Sequence, residues 1–210
     1  MERKQRTLAA VAALKEAYPD AECALEYEKP YELMIATRLS AQCTDARVNL
    51  VTPALFAAYP SLEAFAQAKV EDVENLIHSC GFYHTKARDI IAACQMLLDQ
   101  YDGLVPDTME ELLKLPGVGR KTANLLLGDV YHKPAVVCDT HCIRLSNRIG
   151  LAQGKEPEKV EQQLREILPP EESSDFCHRL VLHGRAVCTA RKPVCENCCL
   201  KACCLTFTGA

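Results

Sequence analysis

Leu115-Pro116-Gly117-Val118-Gly119-Arg120-Lys121-Thr122-Ala123 is a two-glycine turn set between two stretches of helical pattern, and what it is not decides the fold class. It is too short for the GxxxxGK[ST] spacing of a phosphate loop, and no strand precedes it as a GxGxxG dinucleotide loop requires. Working outward, Leu8, Val11 and Tyr18 mark one helix face. Pro30 to Gln42 carries only two charges, Glu32 and Arg38, as a largely buried helix would. Ala87, Ile90, Ile91, Cys94, Leu97, Leu98 and Tyr101 recur at three and four residues, the period of an amphipathic helix. Thr108 and Glu111 fit a capping box that opens a short helix through Lys114. Turn signals at Pro60-Ser61, Cys80-Gly81, Asp102-Gly103, Pro116-Gly117 and Pro169-Pro170 fall between the helical runs. Val136-Val137-Cys138 is too short to build a sheet on. The reading is an all-α chain of about ten helices, one to five turns each.

A chain of 210 residues makes one compact domain or two small lobes, with enough length to bury a core without staples. Lys and Arg total 24 against 28 Asp and Glu, a formal charge of −4, which excludes a wholesale polycation but not a local nucleic-acid surface. An apolar fraction of 49% with 25% charged residues is globular composition and excludes disordered, collagen-like and low-complexity classes. The apolar run from Leu8 to Leu14 is broken by Lys15 and Glu16, so an amphipathic helix fits better than a signal peptide. No stretch approaches the roughly 20 apolar residues of a membrane span, and a soluble intracellular protein is expected.

Thirteen cysteines are the compositional anomaly. Cys23, Cys43, Cys80, Cys94, Cys138, Cys142 and Cys177 are scattered, whereas Cys188, Cys195, Cys198, Cys199, Cys203 and Cys204 crowd into 17 residues. A terminal cluster with an odd total reads as a metal site in a reducing compartment rather than a disulfide framework. Within it, Cys188-x6-Cys195-x2-Cys198-x5-Cys204 can surround one compact centre, because the two-residue gap lets both sulfurs face one point. Four thiolates suit structural zinc or an iron–sulfur cluster. Zinc usually pairs two short hooks; the longer outer gaps suit a larger cubane, and Cys199 and Cys203 leave the ligand choice open. Either centre reads as structural, since about 20 residues cannot make a core alone. Arg179, Arg185, Arg191, Lys192 and Lys201 face a single acid, Glu196, so the loop is basic within an acidic protein.

The 115–123 turn carries the second chemical signal. Its glycines expose consecutive backbone N–H groups, a nest for an anion, and the next helix points its N-terminus the same way. Lys114, Arg120, Lys121, Lys133 and Arg144 surround it in sequence against Asp129 and Asp139. This is how a protein grips a phosphodiester without reading bases; an ordinary helix corner that needs glycine for geometry is the other reading. Lys121 sits in a first helical turn, where cations are disfavoured. As a nucleophile it needs a free amine, and the helix terminus supplies less than one unit from a reference pKa of about 10.4, so burial or neighbouring cations must add to it. A phosphate-contacting lysine is the plainer alternative. Asp139, in Cys138-Asp139-Thr140-His141, is placed to cap a helix and is also a candidate carboxylate partner for Lys121.

LPGVGRKTAN, then VCDTH, then the four-cysteine tail, in that order, resemble the endonuclease III family of helix-hairpin-helix DNA glycosylases with AP-lyase activity. YELMIATRLSAQCTD, GFYHTKA and LHGRAVCTARKPVC extend the resemblance over nearly the whole chain. It implies two helical lobes, a helix-hairpin-helix barrel over 22–132 and an iron–sulfur lobe from 1–21 plus 133–210, with a DNA groove between them. It implies a [4Fe-4S] cluster on Cys188, Cys195, Cys198 and Cys204, Lys121 as the nucleophile and Asp139 as its partner. Gln42 matches the residue that fills the gap left by an extruded nucleotide. Phe82 stands at a wedge position where leucine is common in relatives; an aromatic anchoring the turn to the core is its other reading. Gly117, Val118, Gly119 and Arg120 would hold the DNA backbone. The implied activity is excision of oxidised pyrimidines from duplex DNA through a lysine Schiff base, then β-elimination 3′ to the abasic site. The implied setting is a monomer in the cytoplasm, at the nucleoid in a bacterium. The net charge of −4 departs from the more basic relatives expected. A monofunctional mismatch glycosylase and a non-catalytic iron–sulfur DNA-binding protein are the alternatives. Adenine-mismatch relatives lack the lysine and carry a further C-terminal domain, whereas this chain has Lys121 and ends six residues after Cys204.

Overall fold

A computed structural model describes residues 1–208, which form helices and turns with no strand among them. In chain order the helices are α1 (Arg3–Ala17), α2 (Pro30–Ser40), α3 (Asp45–Ala58), α4 (Leu62–Ala66), α5 (Val70–Ile77), α6 (Tyr83–Tyr101), α7 (Met109–Leu112), α8 (Arg120–Asp129), α9 (Thr140–Ile149), α10 (Pro157–Arg165), α11 (Ser173–Ala186) and α12 (Leu205–Thr208). Short 3-10 turns cover His78–Cys80, Pro170–Glu172 and Cys195–Asn197. None of the described helices is long and apolar enough to cross a membrane. The chain divides into two compact units, Ala24–Tyr131 and Met1–Cys23 with His132–Ala210.

In the 24–131 unit the 19-residue α6 is the spine, with α2, α4 and α5 packed on it; α8 and α3 pack on α2, and α7 on α8. Its buried face (Ala87, Ile90, Ile91, Cys94, Leu97) follows the three-and-four period of the sequence. Helix starts are locally specified. Pro30 opens α2, where the Glu32 carboxylate accepts from the Glu28 and Lys29 N–H groups at 2.8 and 3.1 Å. Thr108 Oγ1 accepts from the Glu111 N–H at 3.3 Å, but α7 ends at Leu112 and only turns continue to Lys114. α2 also stops short of expectation, at Ser40, because Ala41 leaves the helical region (φ −59°, ψ 112°), and Gln42 after it is left-handed (φ 55°).

The other unit packs α1 and α9 on α11, and α12 on α9. Leu14, Leu145, Leu164, Phe176 and Leu180 are fully buried in it. Val136-Val137-Cys138 is buried and forms no strand: the Ala135 N–H goes to Ser173 Oγ and the Asp139 N–H to the Val137 carbonyl. Arg179, counted above with the basic tail, is 3% exposed and paired with Glu172 (2.7 Å) and Asp175 (3.0 Å), so it belongs to the core and not to a basic surface.

Candidate functional site

The 115–123 turn is built on an ion pair. Arg38 of α2 bridges to Asp89 of α6, with Nη2 2.6 Å from Oδ2. Gly117 (φ 74°) rests on this pair: a Cβ there would lie 2.8 Å from Arg38 Cδ and 2.9 Å from Asp89 Cβ. Geometry alone therefore demands glycine at 117. It does not at Gly119, the N-cap of α8, whose φ of −98° suits any residue and whose Cβ would meet nothing within 4 Å. What glycine leaves open at 119 is approach from outside the chain. Val118 between them is buried and anchors the turn, and Arg120 is half-buried at the first position of α8.

Lys121, the second residue of α8, is exposed, and that first turn contains no acid. Lys114 is paired with Glu111 at 2.6 Å. Arg144, also counted with the cations near the turn, is committed to its own unit: its Nη2 donates to the Gly184 and Cys188 carbonyls, each at 3.1 Å. Asp139 caps α9, with Oδ1 accepting from the Cys142 N–H at 2.7 Å, which leaves Oδ2 for another partner. Gln42 and Phe82 are both exposed and both left-handed, with φ 55° and 48°. That conformation is uncommon for a non-glycine residue and an outlier for a bulky one. At 66% exposure Phe82 is not the core anchor that was the alternative reading.

The cysteine tail is sorted by the fold. A cavity of about 280 Å³ is lined by Cys188, Cys195, Cys198 and Cys204, with Arg148 and Phe207 among its other walls. Cys203 is buried elsewhere, its thiol donating to the Leu200 carbonyl at 3.4 Å, and Cys199 is exposed. Burial pushes the Cys198 thiol up, and repulsion from Cys188, Cys204 and Cys195 pushes it the same way. Among the described residues no three of His, Cys, Asp or Glu converge to hold a single metal ion. Arg148, His183 and Tyr18 support the site and were not legible as such. Arg148 Nη1 reaches Cys188 Sγ at 3.3 Å and the Thr189 carbonyl at 2.8 Å. Tyr18 Oη and His183 Nδ1 are hydrogen-bonded at 3.0 Å, and His183 Nε2 lies 3.2 Å from Cys198 Sγ. His183 stood in LHGRAVC, but only its burial (1% exposed) reveals the role.

Residues 35–170 match the model of the HhH-GPD superfamily of base excision DNA repair proteins. Over 93% of the chain and 90% of its relative, it is 48% identical to endonuclease III of Synechocystis. The chain belongs to the endonuclease III family. Endonuclease III of Escherichia coli K12 is 41% identical over 96% of this chain and 95% of that one. The fold matches a solved endonuclease III trapped as a covalent intermediate with DNA in an estranged-adenine complex, at a TM-score of 0.92 and 41% identity, covering 100% of this chain and 99% of that one. As a member of the endonuclease III family it is a DNA glycosylase and AP lyase of base excision repair.

Proposed function

We propose that this chain excises oxidised pyrimidines from duplex DNA with Lys121 as its nucleophile, and that Asp139 is the carboxylate that assists it. The observation that carries the reading is Lys121 itself: an exposed amine, free of acids in its helical turn, directly after an open glycine N–H turn. A base within a duplex is out of reach, so the nucleotide is extruded first, most cheaply where damage weakens stacking. Gln42 fills the gap it leaves and Phe82 wedges the stack. Gly117, Val118, Gly119 and Arg120 grip the backbone, the Gly119 position admitting a phosphate as close as a backbone allows. DNA closing over Lys121 supplies the desolvation that favours a neutral amine. The neutral amine attacks C1′ and the base departs with its bonding pair. Asp139 Oδ2 stabilises the sugar cation that develops. The sugar ring then opens: the C1′–O4′ bond breaks, O4′ leaves as a hydroxyl with the proton that the lysine nitrogen gives up, and the C1′=Nζ Schiff base that forms acidifies the 2′ proton, whose removal expels the 3′ phosphate by β-elimination.

The cavity in the tail fits a [4Fe-4S] cluster held by Cys188, Cys195, Cys198 and Cys204. When bound, the cluster ties the loop together and takes no part in the steps above. In this reading Ala24–Tyr131 is the helix-hairpin-helix lobe and the remainder is the iron–sulfur lobe. The test is borohydride trapping on a duplex carrying one oxidised pyrimidine, comparing the brown natural protein with Lys121→Ala. A covalent adduct that disappears in the variant is expected. No adduct from well-folded natural protein removes the lysine mechanism and leaves a monofunctional glycosylase or a binding protein.

A further inference from the structure

Lys86 lies in α6 and is 1% exposed. Its Nζ donates to the Leu39 carbonyl at 2.8 Å and to the Cys80 carbonyl at 2.9 Å, and no carboxylate is paired with it among the described residues. A buried unpaired ammonium is costly, and an apolar side chain of similar length fills such a space at less expense. The two carbonyls show what the cation holds. Leu39 is in the last turn of α2, three residues before Gln42; Cys80 ends the 78–80 turn, two residues before Phe82. Both belong to the orphan carbonyls that a helix end leaves without partners. Both chain segments then run into an exposed side chain on a left-handed backbone. One ammonium therefore spaces the two turns that present the unit's two strained, exposed candidates. Burial draws the Lys86 amine down, while the thiols of Cys43 and Cys80 beside it act in the opposite sense.

The geometry points to Lys86 as a positioning residue for nucleotide extrusion, setting the separation at which Gln42 and Phe82 enter the base stack. This rests on the roles proposed above for those two side chains. Lys86 touches neither DNA nor the reacting atoms. Its loss should therefore fall on the extrusion step and spare a site that needs little extrusion.

The test is Lys86→Met in the full chain with its iron–sulfur centre, measured by single-turnover excision of an oxidised pyrimidine paired in duplex. The same preparation is measured by borohydride trapping on a preformed abasic site. Paired-lesion excision should fall about 10- to 100-fold, the scale of a misplacement of about 1 Å, while trapping falls less than about threefold. Placing the lesion in an unpaired bubble should recover most of the loss. Lys86→Gln keeps an amide donor for one carbonyl and should be intermediate; it also serves if the methionine variant folds poorly. Equal losses on both substrates, or no loss at all, overturn the proposal. Gln42→Ala and Phe82→Ala separate the two levels. If they show the paired-lesion loss and Lys86→Met does not, only the role of Lys86 falls. If neither shows it, the extrusion reading fails and takes the role of Lys86 with it.

Discussion

Asp139 caps α9 with one carboxylate oxygen, and the role proposed above gives a second job to the other; substitution separates the two. The cap needs only an acceptor for the Cys142 N–H, and asparagine caps as well as aspartate. Asp139→Asn should melt within about 0.5 kcal/mol of the natural protein, because α9 keeps its cap. Its excision should fall at least 10-fold, because the charge facing the sugar cation is gone. Asp139→Ala should lose excision and also about 1 kcal/mol of stability. Thermal melts and single-turnover excision on the same samples check both. Glu172 offers a pH-dependent case. It accepts from Lys15 and from buried Arg179, and these contacts, Lys15 first, hold its carboxyl below the usual range. Its folded-state value is depressed, so the stabilisation is present in full above the unfolded carboxylate value of about 4.3 and is lost as pH falls below it. Glu172→Gln should cost about 2 kcal/mol at neutral pH, and the gap between variant and natural protein should narrow in urea unfolding as the pH is taken below about 4.

At the scale of elements, the two glycines of the 115–123 turn should answer differently to the same methyl group. Gly117→Ala forces a Cβ against Arg38 and Asp89 from a left-handed backbone, and should cost on the order of 1–3 kcal/mol by thermal unfolding. Gly119→Ala meets open space from an ordinary backbone and should leave stability within about 1 kcal/mol. Its effect should appear in affinity instead, as a weaker Kd for duplex at fixed salt, since the proposed grip brings a phosphate to this position. The sequence echo between GFYHTKA and GVGRKTA separates at this scale too. Both runs follow a left-handed glycine into a helix, but Lys86 is the fourth residue of α6 and Lys121 the second of α8. Two residues turn a helix by about 200°, which puts one amine in the core and the other in solvent.

For the molecule as a whole, the metal loop should behave as a fold element. Serine at Cys188, Cys195, Cys198 or Cys204 should remove most of the iron and acid-labile sulfide, whereas Cys199→Ser and Cys203→Ser should retain both, as read by iron analysis and visible colour. Losing the centre should also loosen what the loop is bonded to: the Thr206 hydroxyl on the Arg148 carbonyl and Arg6 on the Cys203 carbonyl. Hydrogen exchange should quicken first over residues 187–208, then in α9 and α1.

Local sequence determined the helical class, the starts of α7, α8 and α9, and the four-cysteine spacing. Helical period, caps and ligand spacing act over a few residues and need no partner from elsewhere in the chain. It also singled out Lys121, because a cation at a helix start is a local oddity, whereas Asp139 before a helix is an ordinary cap that the family resemblance joined to Lys121. Tertiary structure decided what depends on burial. It put Arg179 in the core and tied Arg144 to carbonyls, both of which composition had counted as free positive charge. It separated the four cavity cysteines from Cys199 and Cys203, and it buried Lys86 under two carbonyls 47 and 6 residues away. It also set Gln42 and Phe82 on left-handed backbones. None of these is written in neighbouring residues, because burial and backbone strain are imposed by segments far apart in sequence that the core brings together.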